Sequence, residues 1–250
     1  MPRFAIFSDV HGNAEALEAF LARTQSQKVD AYLCCGDLVG YGADPQRCLE
    51  EVKALCASPL LPEPAVVLGN HDESVATGDV SRMNARAAEA VLWTRRQLNE
   101  AQLAYLGALP LTLARGEELL LVHGTPSSPG AWNYVLDLAD ISLAADHFSQ
   151  ALCCIGHSHV PFFAELRAGG EPMVLRRERV SMRRDARYLV NVGSIGQPRD
   201  GDPRGCYVLY DSDERTLERF RFEYPVEQAQ EKILRAGLPS ILAQRLAIGF

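Results

Sequence analysis

Five short clusters of histidine, aspartate and asparagine punctuate this 250-residue chain, and each follows a run of apolar residues. They are Asp9-Val10-His11, Gly36-Asp37, Gly69-Asn70-His71-Asp72, His123-Gly124 and Gly156-His157-Ser158-His159, and they hold five of the six histidines. Carboxylate, amide and imidazole groups are borderline-hard donors that suit manganese, iron, zinc or nickel, and no thiolate accompanies them. Asp37 has two carboxylate oxygens and can bridge two ions. Asn70 offers a neutral amide oxygen, which binds a cation without adding charge. Asp9 and His11 lie two residues apart, as do His157 and His159, so in extended backbone each pair points to one side. Gly124 lets the backbone come close to its neighbours just after His123. Seven or eight such donors arriving together make a metal site with enough ligands for two ions.

The preceding runs must position them. Phe4-Ala5-Ile6-Phe7, Tyr32-Leu33-Cys34-Cys35, Ala65-Val66-Val67-Leu68, Leu119-Leu120-Leu121-Val122 and Ala151-Leu152-Cys153-Cys154-Ile155 have the length and polar boundaries of buried strands. Between them, helices are predicted over 14–27, 45–57, 82–98, 100–107 and 136–149, with Asp44 as an N-cap and Pro45 opening the second. This alternation predicts a mostly parallel sheet with right-handed crossovers, whose strand exits gather at one edge. Strands near 111–114 and 118–122 flank Arg115-Gly116-Glu117 as a hairpin, residues 160–223 read as short strands and turns, and a last helix covers 226–236. The expected fold class is α/β. It is a two-sheet α/β/β/α sandwich, with a mostly parallel inner sheet packed on a more antiparallel second sheet and helices outside. No linker or repeat divides the chain, so one domain is expected over 1–250.

Composition narrows the function classes. A formal net charge of −7 argues against a dedicated nucleic-acid binder, which needs a basic surface to displace counterions from phosphate. No stretch approaches the roughly 20 apolar residues that span a bilayer, so no membrane partner is expected. Arg3-Phe4-Ala5-Ile6-Phe7 runs straight into Asp9 and does not read as a signal peptide. The seven cysteines are an odd number without a CxxC pair, and four lie inside predicted strands, which fits a reducing cytoplasm. Six arginines between Arg176 and Arg187 are either the solvated face of a hairpin or a rim for an anionic substrate.

The series DxH, GD, GNHD, HG and GHSH, in this order, resembles the calcineurin-like metallophosphoesterase superfamily. The stretch Asn191-Val192-Gly193-Ser194-Ile195-Gly196-Gln197-Pro198-Arg199 is similar to a loop of its small bacterial and archaeal phosphodiesterase branch, with Val192 where that loop usually has proline. The resemblance implies that Asp9, His11 and His159 hold one metal, that Asn70, His123 and His157 hold the other, and that Asp37 bridges them. It leaves His71 facing the substrate as a general acid or transition-state donor. Asp72 either orients His71 or serves as a cap, and Asn13 either contacts phosphate or caps the next helix. The implied activity is hydrolysis of phosphodiester or phosphoanhydride bonds by two divalent transition-metal ions, manganese favoured, which activate a water and neutralise phosphoryl oxygens.

Departures from the family pattern shape the substrate expectation. Protein phosphatases of the superfamily continue GDxxDRG, whereas this chain reads Gly36-Asp37-Leu38-Val39-Gly40-Tyr41-Gly42 and lacks the arginine that grips a monoester. Tyr41, Trp132 and Tyr134 instead offer aromatic faces, which suit a nucleobase or simply pack. A small phosphoester or a nucleotide such as a dinucleoside polyphosphate is the expected substrate. The alternatives are a phosphoprotein or phosphomonoester phosphatase, a DNA nuclease like the double-strand-break repair relatives, and a metal-poor interaction scaffold like the retromer-subunit relatives. Scaffolds lose active-site histidines, and this chain keeps them.

Overall fold

A computed structural model describes residues 2–60 and 65–250. The chain opens with β1 (Arg3–Phe7), α1 (Ala14–Gln25), β2 (Ala31–Cys34) and α2 (Pro45–Leu55), then three helices, α3 (Asn70–Thr77), α4 (Ala85–Gln97) and α5 (Glu100–Gly107). Next come β3 (Thr112–Arg115), β4 (Leu119–Val122), α6 (Leu138–Ala145) and β5 (Leu152–Ile155). Four strands follow: β6 (Phe162–Arg167), β7 (Met173–Leu175), β8 (Arg179–Ser181) and β9 (Ala186–Asn191). The chain ends with β10 (Gly205–Asp211), β11 (Thr216–Phe222), α7 (Val226–Arg235) and α8 (Ser240–Gln244).

Two sheets result, in the orders β2-β1-β10-β11-β8 and β3-β4-β5-β9-β6-β7. Both are mixed. β1 pairs parallel with β2, and β4, β5 and β9 run parallel to one another, while the other pairings are antiparallel. The expected α/β class, with two sheets and helices outside, holds, and within it both sheets are mixed, so neither is mostly parallel. The early strands split between the sheets, and β10 inserts antiparallel beside β1. What survives is the feature that matters for a site: the parallel strands carry their C-terminal ends to a common edge.

Residue alternation explains the layering. In β5, Leu152 and Cys154 join the large core, whereas Cys153 and Ile155 face a smaller cluster with Ile141 and Ala144 of α6. β9 repeats this, with Tyr188 and Val190 in the large core and Leu189 in the smaller one. β1 is buried along Phe4-Ala5-Ile6-Phe7 because helices cover one face and the second sheet the other. Phe20 of α1 contacts Phe7 at 4.9 Å and Tyr207 at 5.0 Å between ring centroids. Truncating such a residue to alanine costs about 3–5 kcal/mol.

Three local expectations change. Ala65–Leu68 makes only a single parallel bridge, Cys34 to Val66, rather than a full strand. GNHD opens a helix, α3, that apolar periodicity did not signal, since only His71, Asp72 and Val75 of it are buried. Asp44 stands at the N-cap of α2 but makes no capping hydrogen bond. Its carboxylate accepts from Lys232 Nζ at 2.8 Å, and Lys232 also pairs with Glu15, which ties α7 to the starts of α1 and α2. All seven cysteines are buried and unpaired, and burial raises the pKa of each thiol. Among the described residues no helix is long and apolar enough to cross a membrane.

Candidate metal centre

Strand ends and tight loops bring the donors together. Asp9 and His11 leave β1, Asp37 leaves β2, His123 leaves β4, and His157 and His159 leave β5. The spacing of two does not act through extended backbone. Asp9, His11, Asp37, His157 and His159 all have φ between 50° and 65°, the left-handed region. Such non-glycine residues cost on the order of 1–3 kcal/mol each and persist where surrounding contacts fix them. Here the loops bond to one another: Asp9 N–H to Gly36 O at 2.9 Å, His11 N–H to Asp37 O at 3.0 Å and Gly196 N–H to Asp9 O at 3.0 Å. Two glycines make the approach possible. A Cβ on Gly69 would lie 2.1 Å from Asp37 Oδ1, and one on Gly156 would lie 2.0 Å from Ser8 Oγ.

The donor atoms form two sets that meet at one oxygen. On one side, His159 Nε2 is 3.2 Å from Asp9 Oδ1 and 3.1 Å from His11 Nε2. On the other, His123 Nε2 is 3.2 Å from Asn70 Oδ1 and 3.1 Å from His157 Nδ1. Asp37 Oδ2 lies 3.6 Å from His11 Nε2 and 3.3 Å from His123 Nε2, between the sets. Ligands at about 2.0–2.2 Å from an ion are separated from each other by about 3.0–3.5 Å, which is this spacing. The remaining ring nitrogens donate to backbone carbonyls: His11 to Val39, His123 to Cys35, His157 to Trp132 and His159 to Gln197. That orients each ring and turns its other nitrogen toward the centre.

Charge and solvation fit cations there. Asp9 Oδ1 is buried without a hydrogen-bond partner. Burial alone would raise Asp9, but the neighbouring His159 overcomes it and holds the carboxyl below its usual range. Burial likewise opposes a charged His123, yet the Asp37 carboxylate lifts that imidazole to about 9. Buried carboxylates that drive a neighbouring imidazole to take up a proton will exchange that proton for a metal ion, so occupancy falls with acidity.

A model of the calcineurin-like phosphoesterase superfamily domain matches residues 3–215. The chain belongs to that superfamily. A metallophosphoesterase from Sphaerobacter thermophilus has the same structure at a TM-score of 0.85 and 36% identity, over 100% of this chain and 99% of that one. A Pyrococcus horikoshii protein shares the fold at a TM-score of 0.81 and 19% identity, over 100% and 99% of the two chains. An uncharacterized protein of Methanocaldococcus jannaschii is 34% identical over 98% of this chain and 97% of its own. Membership implies a hydrolase that depends on a dinuclear metal centre.

Around the centre of this phosphoesterase, the other expected site residues divide. His71 sits beside it: its main-chain N–H donates to Asp37 Oδ1 at 2.9 Å, and its ring lies 4.9 Å from that of His11. His71 Nδ1 is buried without a partner, and Gly40 leaves room for it, since a Cβ there would lie 2.5 Å away. Burial pushes this imidazole down to about 4. Asp72 does not hydrogen-bond His71. It accepts from Leu38 N–H, Val39 N–H and Gly69 N–H at 2.9, 3.2 and 3.3 Å, so it pins the GD loop to α3, and burial raises its carboxyl to about 8. Asn13 is a helix cap whose amide oxygen and nitrogen are both engaged by the main chain. It accepts from Ala16 N–H at 3.1 Å and donates to Gly196 O at 2.8 Å. Tyr41 is 7% exposed, with its ring 4.6 Å from His11 and 4.3 Å from His71, so those imidazoles cover much of it.

Tyr134 is the open aromatic. It is 46% exposed, stacks on His157 at 4.1 Å, and lines a cavity of about 460 Å³ with Asn70, Trp132 and Arg82. Trp132 is tied down by its Nε1–H, which donates to Glu73. Of the arginine-rich segment, Arg179 lies on the edge strand β8 and pairs with Glu214, Arg183 pairs with Asp185 in the turn before β9, Arg187 lies on β9 inside its sheet, and none of the six lines the cavities flanking the centre. Sequence reasoning missed Asn191. It is fully buried and donates to Gly156 O at 2.7 Å and Ser158 Oγ at 2.9 Å, gripping the His157–His159 loop. Its motif was visible, but its partners are distant in sequence.

Proposed function

We propose that this phosphoesterase hydrolyses phosphodiester or phosphoanhydride bonds in small substrates, nucleotides included, with two divalent transition-metal ions. The observation that carries the reading is the pair of donor sets sharing Asp37 Oδ2. Asp9, His11 and His159 serve one ion, and Asn70, His123 and His157 the other. Carboxylate, amide and imidazole donors without thiolate suit manganese, iron, zinc or nickel, and manganese is the first ion to test. The ions, when bound, supply an activated water and neutralise phosphoryl oxygens.

The chain's own groups do the rest. His71, with Nδ1 sealed against Gly40, presents Nε2 to give its proton to the leaving oxygen. An anionic ester beside the ring favours its protonated form, opposing the effect of burial. The main-chain bond from His71 to Asp37 keeps the acid in register with the bridge. No arginine follows Gly36-Asp37 to grip a monoester, which favours diesters and anhydrides over phosphoproteins. Tyr134 offers its outer face to a base. The seven unpaired thiols suit a reducing compartment such as the cytoplasm.

The test is metal analysis of purified protein together with turnover of bis(p-nitrophenyl) phosphate and p-nitrophenyl phosphate. The expected result is two ions per chain and a higher kcat/KM for the diester. A single ion, or preference for the monoester, refutes the corresponding part.

A further inference from the structure

Three guanidinium groups gather on the Tyr41 side of the centre with no aspartate or glutamate paired to them. Arg199 and Arg245 both donate to Gln197 Oε1, Arg199 through Nε at 3.2 Å and Nη2 at 2.8 Å, and Arg245 through Nη1 at 3.3 Å. Arg245, Arg86 and Tyr41 line one cavity of about 500 Å³. Arg199 lies over the Tyr41 ring, 5.6 Å from its centroid. Among the described residues no ion pair within 4.0 Å joins any of the three to Asp or Glu. Arg204, Arg219 and Arg221 each have such a partner.

This arrangement is costly unless it is used. Burial, and then the charge of Arg199, pull Arg245 below its usual value. Arg86 occupies the first turn of α4, where the helix dipole disfavours a cation. The donors are also underused. Two guanidiniums carry about ten N–H groups. Three of these go to Gln197 and one, from Arg245 Nε, to the terminal oxygen of Phe250.

The cluster is joined to the metal centre through one residue. The Gln197 carbonyl accepts from His159 Nδ1, while its side chain holds both guanidiniums. Arg199 N–H also donates to His159 O at 3.4 Å. We propose that Arg86, Arg199 and Arg245 form a subsite for a second phosphoryl group of the substrate, beyond the one at the metal centre. Planar guanidinium forks match phosphate oxygens, and several together fit a polyphosphate chain better than a lone diester. The substrate class is then a molecule with two or more linked phosphates, such as a nucleoside polyphosphate. This rests on the phosphoesterase reading above.

Two measurements test it on Arg86→Ala, Arg199→Ala, Arg245→Ala and Arg245→Lys, with melting temperature and metal content checked for each. The first is the ratio of kcat/KM for diadenosine tetraphosphate to that for bis(p-nitrophenyl) phosphate. It should fall about 10–100-fold in Arg245→Ala and less in Arg245→Lys, since charge is kept but the fork is lost. An unchanged ratio overturns the proposal, because a role confined to positioning His159 lowers both substrates together. The second is calorimetric binding of inorganic tripolyphosphate to protein stripped of metal on a chelating resin. Wild type should bind, and Arg86→Ala and Arg245→Ala should bind at least about tenfold more weakly. No binding to wild type, or equal binding by the variants, overturns it. If loaded wild type hydrolyses neither substrate, the phosphoesterase reading fails, and the tripolyphosphate titration still decides the subsite.

Discussion

Replacing Asn191 by alanine separates what holds the second histidine loop from what holds the fold. The side chain is fully buried at the end of β9. Nδ2 donates to Gly156 O at 2.7 Å and Ser158 Oγ at 2.9 Å, and Oδ1 accepts from Gly193 N–H at 2.9 Å. Gly156 O keeps a second donor, Ser158 N–H at 2.8 Å, but Gly193 N–H is left with none. Three hydrogen bonds at about 1 kcal/mol net each, plus about 1–3 kcal/mol for the orphaned amide, give a loss of about 4–6 kcal/mol. In a chain of this size that lowers Tm by about 10–20 °C. The loop so released carries His157 and His159 on either side of Ser158, so metal affinity should fall about 10–100-fold, as for other groups that orient ligands. Urea unfolding of metal-free protein reads the first quantity, and manganese titration by calorimetry at low temperature reads the second. Ser158→Ala removes one of the three bonds and should cost only about 1 kcal/mol. A stability loss below about 1 kcal/mol in Asn191→Ala would refute the hydrogen-bond accounting. Unchanged metal affinity would show that the loop is held by other contacts.

Three further outcomes follow from the same geometry. Asp37→Ala should abolish binding of both ions, whereas His123→Ala should leave about one per chain by elemental analysis; equal loss in both removes Asp37 from the shared position. His71→Ala should retain both ions and lose about 10²–10⁴-fold in turnover of substrates with poor leaving groups, but much less with p-nitrophenolate; equal losses exclude the acid role. Gly69→Ala should destabilise the protein by at least about 1–3 kcal/mol by overpacking and should weaken metal binding, because its Cβ would sit 2.1 Å from Asp37 Oδ1 although the φ of −99° suits alanine. A wild-type melting curve for Gly69→Ala would mean that the Asp37 loop yields freely.

How much was legible in the sequence depended on range. Short apolar runs ending in donors predicted β1, β2, β4 and β5, because burial on both faces leaves an unbroken hydrophobic signature. The candidate metal donors followed, since each sits within a few residues of such a run. Sheet membership was not legible: β10 enters between β1 and β11 from far along the chain, and no local pattern records that pairing. Roles decided by competition for hydrogen bonds were equally hidden. Asn13 and Asp72 had the right chemistry for substrate or acid roles, yet nearby backbone amides claim both. Tyr41 was placed near the centre correctly but assigned an open face, and its burial depends on His11, His71 and Arg199 from three different segments. Arg86, Arg199 and Arg245 are separated by more than forty residues at every step, so only the fold brings them together.

The donors come from both sheets, and this links folding to assembly of the site. Asp9, His11 and Asp37 ride on β1 and β2 of one sheet, and His123, His157 and His159 on β4 and β5 of the other. Neither sheet alone supplies either of these donor groups: Asp9 and His11 group with His159, and Asp37 with His123 and His157. The bonds that hold the left-handed residues cross the same seam, with His157 N–H donating to Asp9 Oδ2 at 3.1 Å and Gly196 N–H to Asp9 O. Strain of on the order of 1–3 kcal/mol per residue at five positions is sustainable only where the packed sheets over-determine those loops. The large apolar core between the sheets therefore does more than stabilise the chain. It sets the separation of two half-sites, so a core substitution that shifts one sheet against the other should disturb metal binding even at a distance from every ligand.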